Sequence, residues 1–349
     1  MSSDRSLVMR NIDKIINARR SNPHYDQELW DVIAQLNGRT LQNVENEALQ
    51  RRLAQIDRNI QYLEETSGPR DELGPERGWI SPWYWFRLRH WTMSEFEERG
   101  VEPRTPIDYA PMPKLKSEFL GIHNGGEKRL ARISRVPWLM DALLKGNLRF
   151  APATNYRLIE DDEARTDNEM EKHYRRPGNF LRMTSQDGKR LEPIGDVTFA
   201  TRRAIADGKI EIPYWLISYS TDFDPRLFSD FSSKEGDDAI LMIFEPMEFI
   251  KRALPYLNKA APFSEKRLDQ IEYYDAYHPP ATKLSPLSMK DLRFAYQREF
   301  RLSLDPGGRE VLANGEAFFV NIGSIEDIAA VYAKDGSLIA GNGPASFLV

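Results

Sequence analysis

The sequence predicts an α+β fold with a helical module in front of it, on three observations. Two short runs, Trp215 to Thr221 and Ala239 to Phe244, are dense in the β-branched and aromatic residues that suit a pleated, half-buried strand. From about residue 115 onward, strand-like runs of this kind alternate with turns and helix-period segments, the texture of an α+β domain. The first seventy residues carry helical periodicity.

In chain order, Leu29, Val32, Ile33 and Leu36 follow a capping Asp26 and precede Asn37-Gly38, which gives a short helix its start and stop. Leu49, Leu53, Ile56, Ile60 and Leu63 step by four and three, so they share one narrow helical face. That face requires a partner: an antiparallel helix inside a module spanning residues 1–70, or another chain docked on the seam. Residues 71–114 hold several prolines and glycines and four of the seven tryptophans, Trp79, Trp83, Trp85 and Trp91, and read as a connector lying against the rest of the molecule. With Arg87, Arg89 and His90 interleaved, this segment is either a stacking surface for unpaired bases or a set of anchors pinning a loop to a core. Residues 115–349 form the main domain. Within it Val136 to Leu144 is a helix closed by Lys145-Gly146-Asn147, and Leu148 to Ala151 starts a strand. Weaker strands are expected at Ile271 to Tyr274, Phe300 to Leu304 and Phe318 to Ile322, and helices at Pro246 to Leu257 and Ser324 to Ala329.

The 349 residues carry 48 Lys+Arg against 53 Asp+Glu, a net charge of −5, which rules out a uniformly basic coat for nucleic acid. The chain has no cysteine, so disulfides, thiolate metal sites and a catalytic thiol are excluded together, and a reducing compartment is compatible. No stretch approaches the ~20 apolar residues of a membrane helix. The opening MSSDRSLVMRNIDKII lacks the apolar core of a secretory signal. The expectation is a soluble, cytoplasmic protein without a membrane partner.

Among enzyme classes, a metal hydrolase would draw on Glu160-Asp161-Asp162-Glu163 with Asp167, Glu169 and Glu171, but neighbouring carboxylates on extended chain point to opposite sides, and the run reads as a solvated loop. No HExxH, GxSxG or GxxxxGK[ST] pattern occurs, which removes zinc proteases, serine hydrolases of the elbow type and P-loop NTPases, and no metal is expected. What remains is spread over three strand-like segments: an Arg-bearing stretch, Arg129 to Arg135; Ser218-Tyr219-Ser220-Thr221; and Gln297-Arg298-Glu299-Phe300-Arg301. Strand alternation in the last places Gln297, Glu299 and Arg301 on one side and Arg298, Phe300 and Leu302 on the other. A carboxylate flanked by arginines is either a salt-bridged strand or a group that stabilises positive charge as a glycosidic bond breaks.

The stretch Trp138 to Tyr156, WLMDALLKGNLRFAPATNY, resembles the opening of a large group of poorly characterised bacterial proteins often associated with abortive infection. In these, a helix and a "GxLxFSxPxxFNDP"-like segment lead to a "CFS"-type strand and a late "YExExR" strand. Trp215 to Thr221 and Tyr296 to Arg301 supply the second and third in the same order, so the resemblance covers about residues 128–335. Asn155 matches the asparagine of that group, while Tyr156 and Arg157 replace its Asp-Pro. The same layout resembles the ADP-ribosyltransferase fold, including DarT-type enzymes, with split mixed or antiparallel sheets around an NAD cleft. The resemblance implies Arg132, with Arg135 as the alternative, as the early cofactor-binding residue. It implies Ser218, Ser220 and Tyr219 as cleft residues, Asn155 and Arg301 as further cofactor-binding residues, and Glu299 as the catalytic carboxylate. Arg157 becomes the group that holds pyrophosphate or steadies the departing nicotinamide. NAD is then a substrate. The acceptor is a nucleic acid or a protein, and the N-terminal helices serve target choice or neutralisation by a regulatory or antitoxin partner. The leading expectation is a toxin-like or anti-phage ADP-ribosyltransferase. Against it stand a non-catalytic nucleic-acid or protein binding module on the same scaffold, and a metal-dependent nuclease using the acidic run.

Overall fold

Three helices come first: α1 (Gln27–Asn37), α2 (Asn46–Gln61) and α3 (Pro82–Glu98). The computed structural model describes residues 27–62, 64–65, 68–69, 82–104, 129–158, 167–205, 210–221, 223–233, 235–278, 283–308 and 316–343. Leu49 and Leu53 of α2 pack against Phe96 near the end of α3, whereas Ile56 meets Trp85, Leu88 and Trp91 nearer its start. The two helices are therefore antiparallel, and Leu49, Leu53 and Ile56 on the apolar face of α2 are covered from within the chain, the antiparallel alternative of the two expected. Asp26 and Leu63 lie outside the described residues.

Within the expected connector, residues 82–98 form helix α3. Its buried positions, Trp85, Leu88, Trp91 and Phe96, recur at three, three and five residues, which is helical spacing hidden by the surrounding charge. The cations expected to flank bases are used inside the module: Arg89 pairs with Asp57 at 2.9 Å, His90 bonds Asp31 at 2.7 Å, and Arg87 lies over the rings of Tyr84 and Trp91. Trp91 donates its indole N–H to the Trp30 carbonyl at 2.8 Å, so it anchors and does not stack a ligand. Trp79 and the side chain of Trp83 lie outside the described residues. Buried Arg52 clasps Asp275 with two bonds of 2.9 and 2.7 Å, and Trp91 stacks on His278 at 4.8 Å, which fixes the helices to the sheet domain.

The main domain contains β1 (Leu130–Arg135), α4 (Val136–Lys145), β2 (Asn147–Pro152), β3 (Glu171–Pro177), β4 (Asp196–Arg202), β5 (Trp215–Ser220), β6 (Asp238–Ile243), α5 (Pro246–Ala260), β7 (Glu265–Gln270), β8 (Glu299–Asp305), β9 (Phe318–Asn321), β10 (Ala329–Ala333) and β11 (Leu338–Gly341). The large sheet runs β7-β8-β5-β1-β6-β10-β11 with antiparallel neighbours throughout, and a branch leaves β5 through β2 to β9. Helices with antiparallel sheets make this an α+β protein.

Alternation decides which residues meet. Trp215, Ile217 and Tyr219 of β5 and Leu302 and Leu304 of β8 enter one apolar core with Leu139 and Leu143 of α4 and Phe249, Ala253 and Leu257 of α5. Strand β6 is buried on both faces, Ala239, Leu241 and Ile243 entering that core and Ile240 and Met242 a second one. The expected helix at Ser324 to Ala329 is instead a turn followed by β10, where pairing with β6 overrides local preference. The charged stretch from Glu171 is a strand paired with β4 and carrying a Tyr174–Phe199 stack at 4.8 Å. No described helix is long and apolar enough to cross a membrane.

Gly146 ends α4 at φ 67°, and a Cβ there would meet the Gly323 carbonyl oxygen at 1.9 Å. Gly146→Ala is expected to lower stability by at least ~1–2 kcal/mol, the cost of the left-handed conformation alone. Urea unfolding of the two proteins side by side checks this.

Candidate functional site

The sheet forks at β5. Strands β1 and β2 both run antiparallel to β5 and compete for one of its edges: Trp215 and Leu216 face Pro152 and Ala151 of β2, and only Ser220 faces Ala131 of β1. Ile217, Ser218 and Tyr219 face neither, and helix α4 spans the fork by joining β1 to β2. The gap opens into a cleft of about 420 Å³, the size of ordinary small-molecule sites, with Arg132, Asn155, Ser218, Ser220, Lys290 and Glu299 among its walls. At the fork the Ser218 carbonyl loses a strand partner, and Arg132 Nη1 donates to it at 2.7 Å instead.

Glu299 is aimed by strain in the backbone before it. Arg298 sits at φ 46°, which for a residue with a Cβ costs ~1–2 kcal/mol, and turns the chain out of the 3-10 segment Leu292–Gln297 into β8. Alternation thus begins at Glu299, with Glu299, Arg301 and Ser303 on the face opposite the apolar core. Gln297 stays in the 3-10 segment, not in the strand as expected, though it still lines the cleft. Arg298 is fully buried, with its Nη2 donating to the Tyr62 carbonyl at 3.3 Å.

The Glu299 carboxylate is heavily engaged. Oε1 accepts from Ser218 Oγ at 2.6 Å and Arg301 Nε at 2.9 Å, and Oε2 accepts from Lys290 Nζ at 2.7 Å. Behind it Arg301 Nη2 reaches Glu169 at 2.8 Å, and Lys172 Nζ holds Asp167 at 2.6 Å. Asp167, Glu169 and Glu299 therefore share the interior with Lys172, Lys290 and Arg301 at zero net charge. Burial pushes the Glu299 carboxyl pKa up, but Arg301, Lys290 and the Ser218 hydroxyl outweigh it and hold the group well below the usual carboxylate range. Burial likewise opposes the charge on Lys290, and Glu299 with Glu169 more than compensates, so its pKa is raised. The glutamate is ionised at neutral pH.

The other expected residues divide. Ser220 Oγ donates to the Gln297 carbonyl at 2.6 Å and ties β5 to the segment before Glu299. Asn155, on the 3-10 turn Ala153–Leu158 that follows β2, is exposed at the cleft wall. Tyr219 is among the residues lining the cleft, and its ring packs into the main core, edge-on to Phe249 at 5.7 Å, with the Arg132 guanidinium 5.9 Å from its centroid. Arg135 is held by Asp237 at 2.9 and 3.1 Å and stays at the rim. Arg301 is not a ligand-binding residue: at 0% exposure it lies beneath the cleft and positions Glu299. The side chain of Arg157 and the run Glu160 to Glu163 lie outside the described residues. Asp167 and Glu169 are not a solvated loop but members of the buried network.

Sequence reasoning missed Lys290 and the Glu169–Arg301 pair, because their partners come together only when β8 packs beside the segments that carry them. It also passed over Tyr156, whose hydroxyl pKa burial raises and which senses both Arg132 and Glu299. Comparison with protein-family models, with curated proteins and with solved structures gives no match.

Proposed function

We propose that this chain is an NAD+-dependent ADP-ribosyltransferase acting on a nucleic-acid or protein acceptor. One observation carries the reading: an ionised carboxylate, Glu299, is fixed by Ser218 in the wall of a cleft opened by a forked sheet, and the guanidinium of Arg132, which lines the same cleft, holds the Ser218 carbonyl. Among the described residues Glu299 Oε2 accepts from Lys290 alone, which leaves an acceptor position for a ribose hydroxyl. When the bond from ribose C1′ to nicotinamide breaks, its electron pair leaves with the nicotinamide and positive charge develops on the sugar. A fixed anion stabilises that charge, and the acceptor nucleophile closes on C1′ and gives up its proton. A role as a toxin or anti-phage effector in the cytoplasm extends this reading through the resemblance given above.

A second reading has its own observation. Lys290 and Arg301 neutralise much of the charge on Glu299, as in a site that binds a dinucleotide without cleaving it. Incubating the purified protein with NAD+ labelled in the adenylate and with cell lysate separates the two. The transferase releases nicotinamide and leaves label on protein, nucleic acid or free ADP-ribose; the binding module gives heat on NAD+ titration and no nicotinamide.

A further inference from the structure

We infer that Trp138 and Arg149 form the subsite for the adenylate half of the dinucleotide, an inference that rests on the NAD+ reading. Both line the cleft, Trp138 from the first turn of α4 and Arg149 from β2. Trp138 is 57% exposed, which leaves a large indole face open at the rim of a cavity. The β2–β5 register, continued past Ala151 and Leu216, brings Arg149 level with Ser218 on the far side of the fork, and alternation puts it on the same face as Ser218. Arg132 approaches the same point from β1. The other cleft cations are spoken for, Lys290 by Glu299 and Arg135 by Asp237, whereas Arg132 and Arg149 make no ion pair among the described residues.

An open indole with guanidinium groups on both walls of a wedge matches a flat base attached to phosphates. Electrostatics sets which end of the dinucleotide goes there. The nicotinamide ring is cationic in NAD+ and is repelled by two guanidinium groups, while the buried Glu299 receives the sugar beside it from the inner wall and Trp138 and Arg149 stand at the exposed mouth of the cleft. The adenine is neutral and its diphosphate anionic, so the adenylate takes the arginine-lined rim.

Calorimetry on the full chain tests this with ADP and nicotinamide mononucleotide as probes. Because Trp138 and Arg149 are exposed, substitutions there leave the core intact. Trp138→Ala is expected to weaken ADP about tenfold or more, the usual effect of removing a stacked ring. Trp138→Phe should recover most of that affinity, and Arg149→Gln should weaken ADP while nicotinamide mononucleotide stays within about twofold. In turnover, the loss should fall on KM with kcat retained. If wild type binds ADP and neither Trp138→Ala nor Arg149→Gln changes its affinity, the subsite is overturned and the NAD+ reading stands. The same holds if both probes weaken equally, or if the substitutions affect a single-stranded oligonucleotide and not ADP. If wild type binds neither ADP nor NAD+, the NAD+ reading itself fails.

Discussion

Glu299→Gln is expected to lower NAD+ turnover by at least about 100-fold, the scale on which even one neutral donor acts at a developing charge. The amide keeps the shape of the side chain and can still accept from Ser218, so substrate binding should change little and the loss should appear in kcat. The structure adds a complication that the sequence did not show. Glu299 is the counter-charge of Lys290 and Arg301 in a buried network, and its neutralisation leaves one excess positive charge without solvent. Breaking a buried pair on one side costs about 3–5 kcal/mol, so Glu299→Gln should also unfold at lower urea. Pairing it with Lys290→Met restores charge balance and should recover much of that stability. Turnover should stay lost in the double variant and be measured against Lys290→Met alone. If the double variant is well folded and releases nicotinamide as fast as Lys290→Met, Glu299 is not the carboxylate that assists bond cleavage.

The elements that sequence made legible are those whose signal is local. Strands β5 and β6, both rich in β-branched and aromatic residues, fall within one residue of their expected bounds, and Lys145-Gly146-Asn147 closes α4 where the left-handed Gly146 sits. Opposite faces for Glu299 and Phe300 also followed from period-two alternation alone. What was hidden depends on distant partners. Glu169 and Lys172 look like part of a charged loop until β3 pairs with β4 and Arg301 arrives from a strand more than a hundred residues later. Lys290 has no sequence signal at all, since only its distance to Glu299 distinguishes it. Helix α3 was obscured for a different reason: aromatic side chains and arginines lie on several of its sides, so no clean apolar stripe separates it from a Pro- and Trp-rich connector. The fork at β5 could not be read either, because it arises from two strands claiming one edge, and each claims it through a register that no single strand encodes.

Arg301→Met should produce the largest loss of stability, and its dependence on pH identifies the cause. Arg301 is wholly buried between Glu169 and Glu299 and also bonds the Tyr214 hydroxyl and the Leu287 carbonyl, both at 3.2 Å. Its removal leaves Glu169 and Glu299 sharing Lys290, with Lys172 on the other oxygen of Glu169, so that the buried network carries one excess negative charge, at a cost of about 3–5 kcal/mol at pH 7. In the wild type the folded-state pKa of Glu299 lies below its unfolded value of ~4.3. Its contribution is therefore fully present above that value and is lost as pH falls below it. In the variant Arg301, the leading opponent of burial at Glu299, is gone; desolvation and the neighbouring Glu169 are then expected to outweigh Lys290 and Ser218, which remain, and to raise the folded-state pKa above the unfolded one. The variant accordingly gains stability relative to wild type as pH falls from 7 toward ~4.3, where one carboxyl takes up a proton. Urea unfolding at pH 7 and pH 4.5 should show the deficit shrinking with acid, although acid weakens the wild type. A deficit independent of pH would mean that Arg301 stabilises the fold by packing and neutral hydrogen bonds, and that Glu299 does not depend on it for its charge.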